Sequence, residues 1–380
     1  MDYRDETLYT LALTRLPQVG LAIGNQLIDE AGSATMLYAH RHNIGEVITH
    51  ATPRLQNAIA RFDDYLPDAE RELDYMARHN LVAYTKTHPA YPHRLLACHD
   101  APLLLFFYGN TDLNPRHTIS IVGSRKATPY GRDFCQQLIA DIARQLPQTL
   151  IVSGLAYGID ICAHRAAIEA GLDTVAVLAH GLDRIYPATH RATASQMTQH
   201  GGLLTEYTSG TTPDRMNFVQ RNRIVAGMTD ATIVIESGER GGSLITAEMA
   251  QSYNRDVFAL PGRTTDTMSR GCNNLIACQQ AQMIQSADDL LTAMNWAEKP
   301  AAATAQPTLF PELSAQLSPD EQRLVEIMRT ADSIQINNLV AQTGLPYPTI
   351  SAALYELECK DIVELMGGAR YRLKNTSAHS

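Results

Sequence analysis

Residues 118–123 read TISIVG and run directly into SRKATPYG at 124–131. The first six are a short strand candidate, apolar on both faces and closed by a glycine, and the turn that follows is polar and basic. The unit recurs along the chain. LIVSG (150–154), TVAVLA (174–179), GLLTEY (202–207), ATIVIES (231–237) and DVFALPG (256–262) are equally short and apolar on both faces, and helix-like stretches separate them, among them Gly131–Arg144, Ala163–Ala170 and Leu244–Tyr253. Strands buried on both faces and alternating with helices predict an open, doubly wound parallel sheet, a Rossmann-like α/β core over 81–296. LLLFFYGN (103–110) predicts one further strand ahead of it.

Working outward, residues 1–80 read as a helical domain. LTRLPQVGLAIGNQLIDEAG (13–32) has the shape of a helix-hairpin-helix, whose turn amides can hold phosphate, but Gly24 falls one position late and plain helical packing is the competing reading. Downstream, AEKPAAATAQPTLFPEL opens an Ala/Pro-rich linker over 297–317. SPDEQRLVEIM then starts a helix with an N-cap Ser and an acidic first turn. IQINNLVAQTG, LPYPTISAALYELECKDIV and a β-like tail turning at Gly367-Gly368 complete the layout of a winged helix over 318–380. Its recognition stretch holds a single base, Lys360, so duplex reading and protein interaction both stay open.

Composition narrows the function classes. The 380 residues carry 31 Lys/Arg against 40 Asp/Glu, a net charge of −9. No apolar run approaches the roughly 20 residues of a membrane helix. MDYRDETLYTLAL lacks the basic-then-apolar layout of a signal peptide, so the expected location is the cytoplasm, without membrane contact. The six cysteines form no C-x-x-C pair and suggest neither zinc nor a disulfide framework. Even residues 115–290 hold 15 Lys/Arg against 16 Asp/Glu, so any nucleic-acid site has to be a local cluster.

In a doubly wound sheet, ligands bind beyond the carboxyl ends of the strands. Beyond the first core strand Gly123 allows close backbone approach, Ser124 offers a hydroxyl, and Arg125 and Lys126 add charge. Beyond the second, Gly154 and Gly158 lead into a helix. Beyond the fifth, Gly242 and Ser243 within ESGERGGSLITAE form another glycine turn onto a helix N-terminus. No G-x-G-x-x-G with an acidic second-strand end supports a nicotinamide cofactor, and there is no P-loop, so three glycine turns on one rim predict a phosphate-binding edge.

A second cluster is TPDRMNFVQRNRIVAG (212–227). With Met216–Ala226 helical, Arg215, Phe218 and Asn222 share a face. A cation beside an aromatic ring suits single-stranded nucleic acid, the charge tracking the backbone and the ring stacking on a base. Arg221 and Arg223, two apart, cannot share a face; one is expected to buttress the fold while the other meets ligand, and the sequence does not say which. His164 is expected to pack or cap a helix. No nucleophile motif, metal set or small cofactor is called for.

SGLAYGIDICAH, GLDRIYP, the segment from Phe218 through RNRIVAG, GGSLITAEMA, VFALPG and RGCNNLIA together resemble the DprA/Smf family (DNA-processing protein A), in order and in spacing. The resemblance is close over 115–290 and looser in the flanking parts. It implies a non-enzymatic protein that binds single-stranded DNA, forms homodimers and helps load the RecA recombinase in transformation or recombination, with single-strand-binding protein as a further partner. It also implies that Gly123-Ser124-Arg125 is the phosphate-binding turn, that Arg215, where relatives often have Lys, is a second phosphate contact, and that Phe218 is the stacking ring. The family's Ser-Gly-Ser-Leu-Ile-Thr is here Gly241 through Thr246, GGSLIT, and the acidic balance is unusual for a DNA binder. The rival class is a Rossmann-like nucleotide phosphoribohydrolase, with Glu236, Glu239 or Glu248 as general acid or base. Those enzymes place Pro-Gly-Gly-x-Gly-Thr before the acid, where this chain has ERGGSLIT.

Overall fold

The strand candidates line up in a single sheet. β1 (Val82–Thr85), β2 (Leu104–Asn110), β3 (His117–Gly123), β4 (Thr149–Ser153), β5 (Thr174–Val177), β6 (Gly201–Thr205), β7 (Ala231–Ile235), β8 (Asp256–Ala259) and β9 (Gln282–Met283) follow the order β1-β2-β6-β5-β4-β3-β7-β8-β9. From β6 to β9 every pairing is parallel, whereas β1 pairs with β2 and β2 with β6 antiparallel. The expectation of a parallel sheet therefore holds through the core and needs correcting at one edge, where the chain enters through a hairpin-like pair. In this computed structural model the described residues are 3–297, 317–329, 333–360, 362–366 and 370–374.

Among the described residues, five α-helices precede the sheet: α1 (Tyr3–Leu13), α2 (Leu21–Ala31), α3 (Ala34–Ala39), α4 (Pro53–Ala60) and α5 (Leu66–His79). Leu11, Leu27, Leu37, Ile59 and Phe62 share a core with Leu103, Leu104 and Phe106, so this block is mounted on β2, within a compact unit Met1–Ala297. Gly24 lies inside α2, where an added Cβ would stand 2.6 Å from the Leu103 side chain. It is a packing contact, which favours the plain-packing reading of 13–32.

The remaining helices of this unit are α6 (His93–Leu96), α7 (Pro129–Gln145), α8 (Ile159–Glu169), α9 (Arg191–Met197), α10 (Arg215–Gly227), α11 (Gly242–Ser252), α12 (Arg270–Ala277) and α13 (Ala287–Ala293). Strand residues alternate between two apolar layers, as the period of two requires. Ile119, Ile121, Ile151, Ile233 and Ile235 pack with α7, α8 and α13. Val122, Val152, Val175, Val177 and Val234 pack with α10, α11 and α12. The sheet is thus wound on both faces. Among the described residues, no helix is long and apolar enough to cross a membrane.

The second unit, Glu298–Ser380, contains α14 (Pro319–Met328), α15 (Ile336–Thr343), α16 (Tyr347–Cys359) and a small sheet of β10 (Ile334–Gln335), β11 (Val363–Met366) and β12 (Arg370–Leu373). Ser318 caps α14 in a reciprocal box with Glu321. β11 and β12 pair antiparallel, with Val363 opposite Leu373, as a wing requires. The turn expected at Gly367-Gly368, and all of the linker expected over 297–317 except its two end residues, lie outside the described residues. Lys360, the single base of the recognition stretch, is tied to Glu321 at 2.6 Å.

Candidate nucleic-acid interface

The order of the sheet puts a crevice in one place. From β3 the chain steps through β4 and β5 to β6, then returns by α10 to the other side of β3 and continues through β7 and β8. The loop after β3 feeds α7 on one face and the loop after β7 feeds α11 on the opposite face. Their separation at the carboxyl ends opens a switch-point crevice. A cavity of about 990 Å³ occupies it, at the upper end of small-ligand sites (roughly 300–1,000 Å³).

The β3 turn is fixed by its backbone. A Cβ on Gly123 would stand 1.9 Å from the Ile235 carbonyl of β7, so β3 and β7 can converge only with glycine there. The Ser124 amide donates to the Glu236 carbonyl at 2.8 Å, and its hydroxyl accepts from the Lys126 amide at 3.0 Å. These bonds project Arg125, which lines the cavity, and Lys126, which stands beside it; both are exposed.

Asp214 caps α10, accepting from the Met216 amide at 2.8 Å, and places Arg215 at the first helical position. Arg215, Phe218 and Asn222 then line the same cavity, as their spacing predicts. The Arg125 guanidinium carbon lies 5.3 Å from the centroid of the Phe218 ring, within cation–π range, and Tyr186 flanks the ring at 5.8 Å. Gly242 and Ser243 open α11 with no side chain capping the helix, and Arg240 precedes them; all three line the cavity. Arg125, Arg215 and Arg240 have no carboxylate within ion-pair distance among the described residues. Such charges at a rim are available to phosphate.

The two inner arginines behave differently from expectation. Arg221 is 3% exposed and donates from Nη1 to the Gly154 carbonyl at 2.7 Å and to the Val177 carbonyl. A Cβ on Gly154 would collide with this guanidinium at 2.5 Å, so Gly154 is present to admit Arg221, not to hold an anion. Burial lowers the Arg221 pKa to about 10, with Asp160 opposing the shift. Asp160, in the cavity floor, is pushed up by burial in spite of Arg221. Arg223 was expected among the ligand contacts if Arg221 was not. It does not line the cavity: it is 8% exposed, paired with Glu206 and donating to the Asp100 carbonyl at 2.6 Å. Both arginines therefore buttress the fold, and only Arg221 also reaches the cavity.

None of the carboxylates proposed for the hydrolase rival lines the cavity. Glu236 is buried and accepts from the amide of Thr128 at 2.8 Å and from its hydroxyl; Glu239 is ion-paired with Arg270 at 3.2 Å; Glu248 is exposed on α11. His164 packs as expected. Thr174 spends its hydroxyl proton on the Ile151 carbonyl at 2.9 Å, so the His164 Nδ1, 2.7 Å away, is the donor to that oxygen. Burial lowers the His164 pKa to about 3.

Arg240 and Tyr186 were not singled out from sequence, although both sit in motifs quoted above. A cation next to the glycine turn was the available signal for Arg240. Nothing local marks Tyr186, which reaches Phe218 from a loop 32 residues upstream in sequence.

Comparison with known proteins adds a family. The model described as DNA recombination-mediator protein A matches residues 82–295, and the one described as DprA winged helix domain matches 300–369. The DNA processing protein DprA of Streptococcus pneumoniae (strain ATCC BAA-255 / R6) is 41% identical over 206 residues, which cover 54% of this chain and 72% of the relative. The X-ray structure of DprA from S. pneumoniae matches with a TM-score of 0.61 and 32% identity, over 75% of this chain and 96% of that one. A structure of DNA processing protein A from Helicobacter pylori, concerned with its single-stranded DNA binding mode, matches with a TM-score of 0.52 and 28% identity, over 57% of this chain and 97% of that one.

Proposed function

The chain belongs to the DNA recombination-mediator protein A (DprA/Smf) family, and from that premise we propose that it binds single-stranded DNA in the crevice between β3 and β7. One observation carries the reading: Phe218 stands half-buried with two guanidiniums near its ring, Arg125 at 5.3 Å and Arg221 at 5.9 Å, on the wall of a cavity whose rim arginines have no carboxylate partners among the described residues. A base stacks on the ring while its phosphates meet the rim. Duplex DNA cannot offer an unstacked base, so the preference is for a single strand.

Roles divide accordingly. Arg125, Arg215 and Arg240 meet phosphates, helped by the backbone of Gly123–Ser124 and by the uncapped amides of Gly242 and Ser243, while Lys126, outside the cavity lining, adds charge to the approaching strand without a phosphate contact of its own. Phe218 stacks, and Asn222 offers a donor and an acceptor to a base. Gly154 and Arg223 hold the scaffold. The family's description as a recombination mediator supports the wider proposal that the protein acts in the cytoplasm, as a homodimer, to load RecA onto strands coated by single-strand-binding protein, without catalysis of its own. The test is electrophoretic mobility shift of a labelled oligothymidine with duplex competitor at two salt concentrations. A complex that resists duplex is expected; equal competition by duplex sinks the crevice reading. Light scattering for the dimer, and RecA assembly on coated single strands, test the wider proposal separately.

A further inference from the structure

The floor of the cavity differs in kind from its rim. The rim carries guanidiniums without carboxylate partners among the described residues; the floor sets a guanidinium and a carboxylate in one cavity lining. Arg221 uses Nη1 on two carbonyls, while its Nη2 has no hydrogen-bond partner among the described residues. Asp160 is 8% exposed, and its side chain accepts from two backbone amides, that of Ala156 at 3.4 Å to Oδ2 and that of Gly154. A carboxylate has about four lone-pair sites, so acceptor capacity remains. The two groups are not within ion-pair distance of each other, and neither consumes the other's hydrogen bonds. A phosphate at the floor would meet the Asp160 charge, whereas a base edge carrying both an acceptor and donors would not.

We propose that this floor reads the edge of the base that stacks on Phe218, and that it selects guanine. The inference rests on the single-strand reading above. Guanine presents O6 to the free Arg221 nitrogen and two adjacent N–H groups, at N1 and N2, to the Asp160 carboxylate. Thymine presents one N–H between two carbonyls, one of which would face the carboxylate. Single-strand sequence is commonly read in this way, on unstacked Watson–Crick edges. A buried fixed donor beside a buried fixed acceptor is costly to leave unmatched, which turns a mismatch into lost affinity.

The experiment measures fluorescence anisotropy with the full chain and three labelled oligonucleotides of equal length: oligothymidine, the same strand with one central guanine, and the same strand with inosine in that place. A single guanine in a homopolymer can slide into register with the site. About tenfold tighter binding for the guanine strand is expected, from the discrimination typical of one bidentate contact, and most of the gain should vanish with inosine, which lacks the N2 amine. Asp160→Asn should erase the guanine preference, weakening the guanine strand while oligothymidine binds no more weakly than before, because the amide no longer repels a thymine carbonyl. If that variant fails to fold, the guanine–inosine comparison on the unaltered protein still decides. Equal affinity for all three strands overturns base selection and leaves the single-strand reading standing; absence of binding to any of them overturns both.

Discussion

Replacing Arg125 by Ala is expected to change the salt dependence of DNA binding by a calculable amount. For single strands, the slope of log affinity against log salt is roughly −0.7 per neutralised phosphate. Arg125, Arg215 and Arg240 line the cavity without carboxylate partners among the described residues, so three contacts give a slope of about −2. Between 50 and 200 mM salt the affinity for oligothymidine then falls about 18-fold, and about sevenfold once Arg125 is gone. The Phe218 ring remains, so binding at the lower salt persists, although weakened by the lost phosphate and cation–π contacts. Anisotropy titrations at four salt concentrations measure both quantities. Arg54→Ala, an exposed arginine on α4 away from the cavity, is the control and should leave the slope unchanged. An Arg125→Ala protein that binds more weakly with an unaltered slope would refute the assignment of Arg125 to phosphate.

Phe218→Ala should cost about 1–3 kcal/mol of binding with the salt slope intact, because stacking is lost and not charge; a reduced slope in the same titrations would mean the ring merely props Arg125. Arg223→Ala breaks a buried pair with Glu206 and should destabilise the fold by about 3–5 kcal/mol, seen as a lower urea midpoint, with the slope of the folded protein unchanged. His164 has a pKa depressed to about 3 in the fold, so its contribution is present above about pH 6.5 and is lost as pH falls toward 3. The cost at pH 4.5 relative to pH 7 is about 2–3 kcal/mol. His164→Asn, which keeps a donor for Thr174, should flatten that part of the urea-midpoint profile; a profile as steep as that of the unaltered protein would assign the acid loss to other groups.

What could be read from sequence follows from how local each cause is. Strands β3 to β8 were legible because burial on both faces leaves an apolar run bounded by glycine turns, a property of each segment alone. The direction of β2 was not legible: LLLFFYGN looks the same parallel or antiparallel, and only its register with β6, Phe106 opposite Thr205, settles it. β1 and β9 are too short and too exposed to carry a pattern. On α10 the period of 3.6 placed Arg215, Phe218 and Asn222 on one face correctly. The same periodicity could not say that Arg221 and Arg223 both turn inward, because their partners, Gly154 and Val177 for one and Glu206 and Asp100 for the other, come from loops and strands distant in the chain.

The proposed DNA site is compatible with an acidic chain because the charges are unevenly distributed along it. Residues 1–80 carry twelve Asp/Glu against seven Lys/Arg, more than half of the net −9. That helical block is built on β2, and four strand steps separate β2 from β3, where the crevice opens. At about 4.8 Å a step β2 lies about 19 Å from β3. The screening length in physiological salt is about 8 Å. Carboxylates of the block that lie near β2 are more than two screening lengths from β3 and contribute little potential there; Glu72, which reaches the Ser209 amide and hydroxyl closer to the crevice, is buried and hydrogen-bonded, while Arg125, Arg215 and Arg240 line the cavity itself. Net charge, the feature of the sequence that argued against nucleic acid, averages over such distances, so under the proposed reading the sign of the rim counts for more than the sum over the chain.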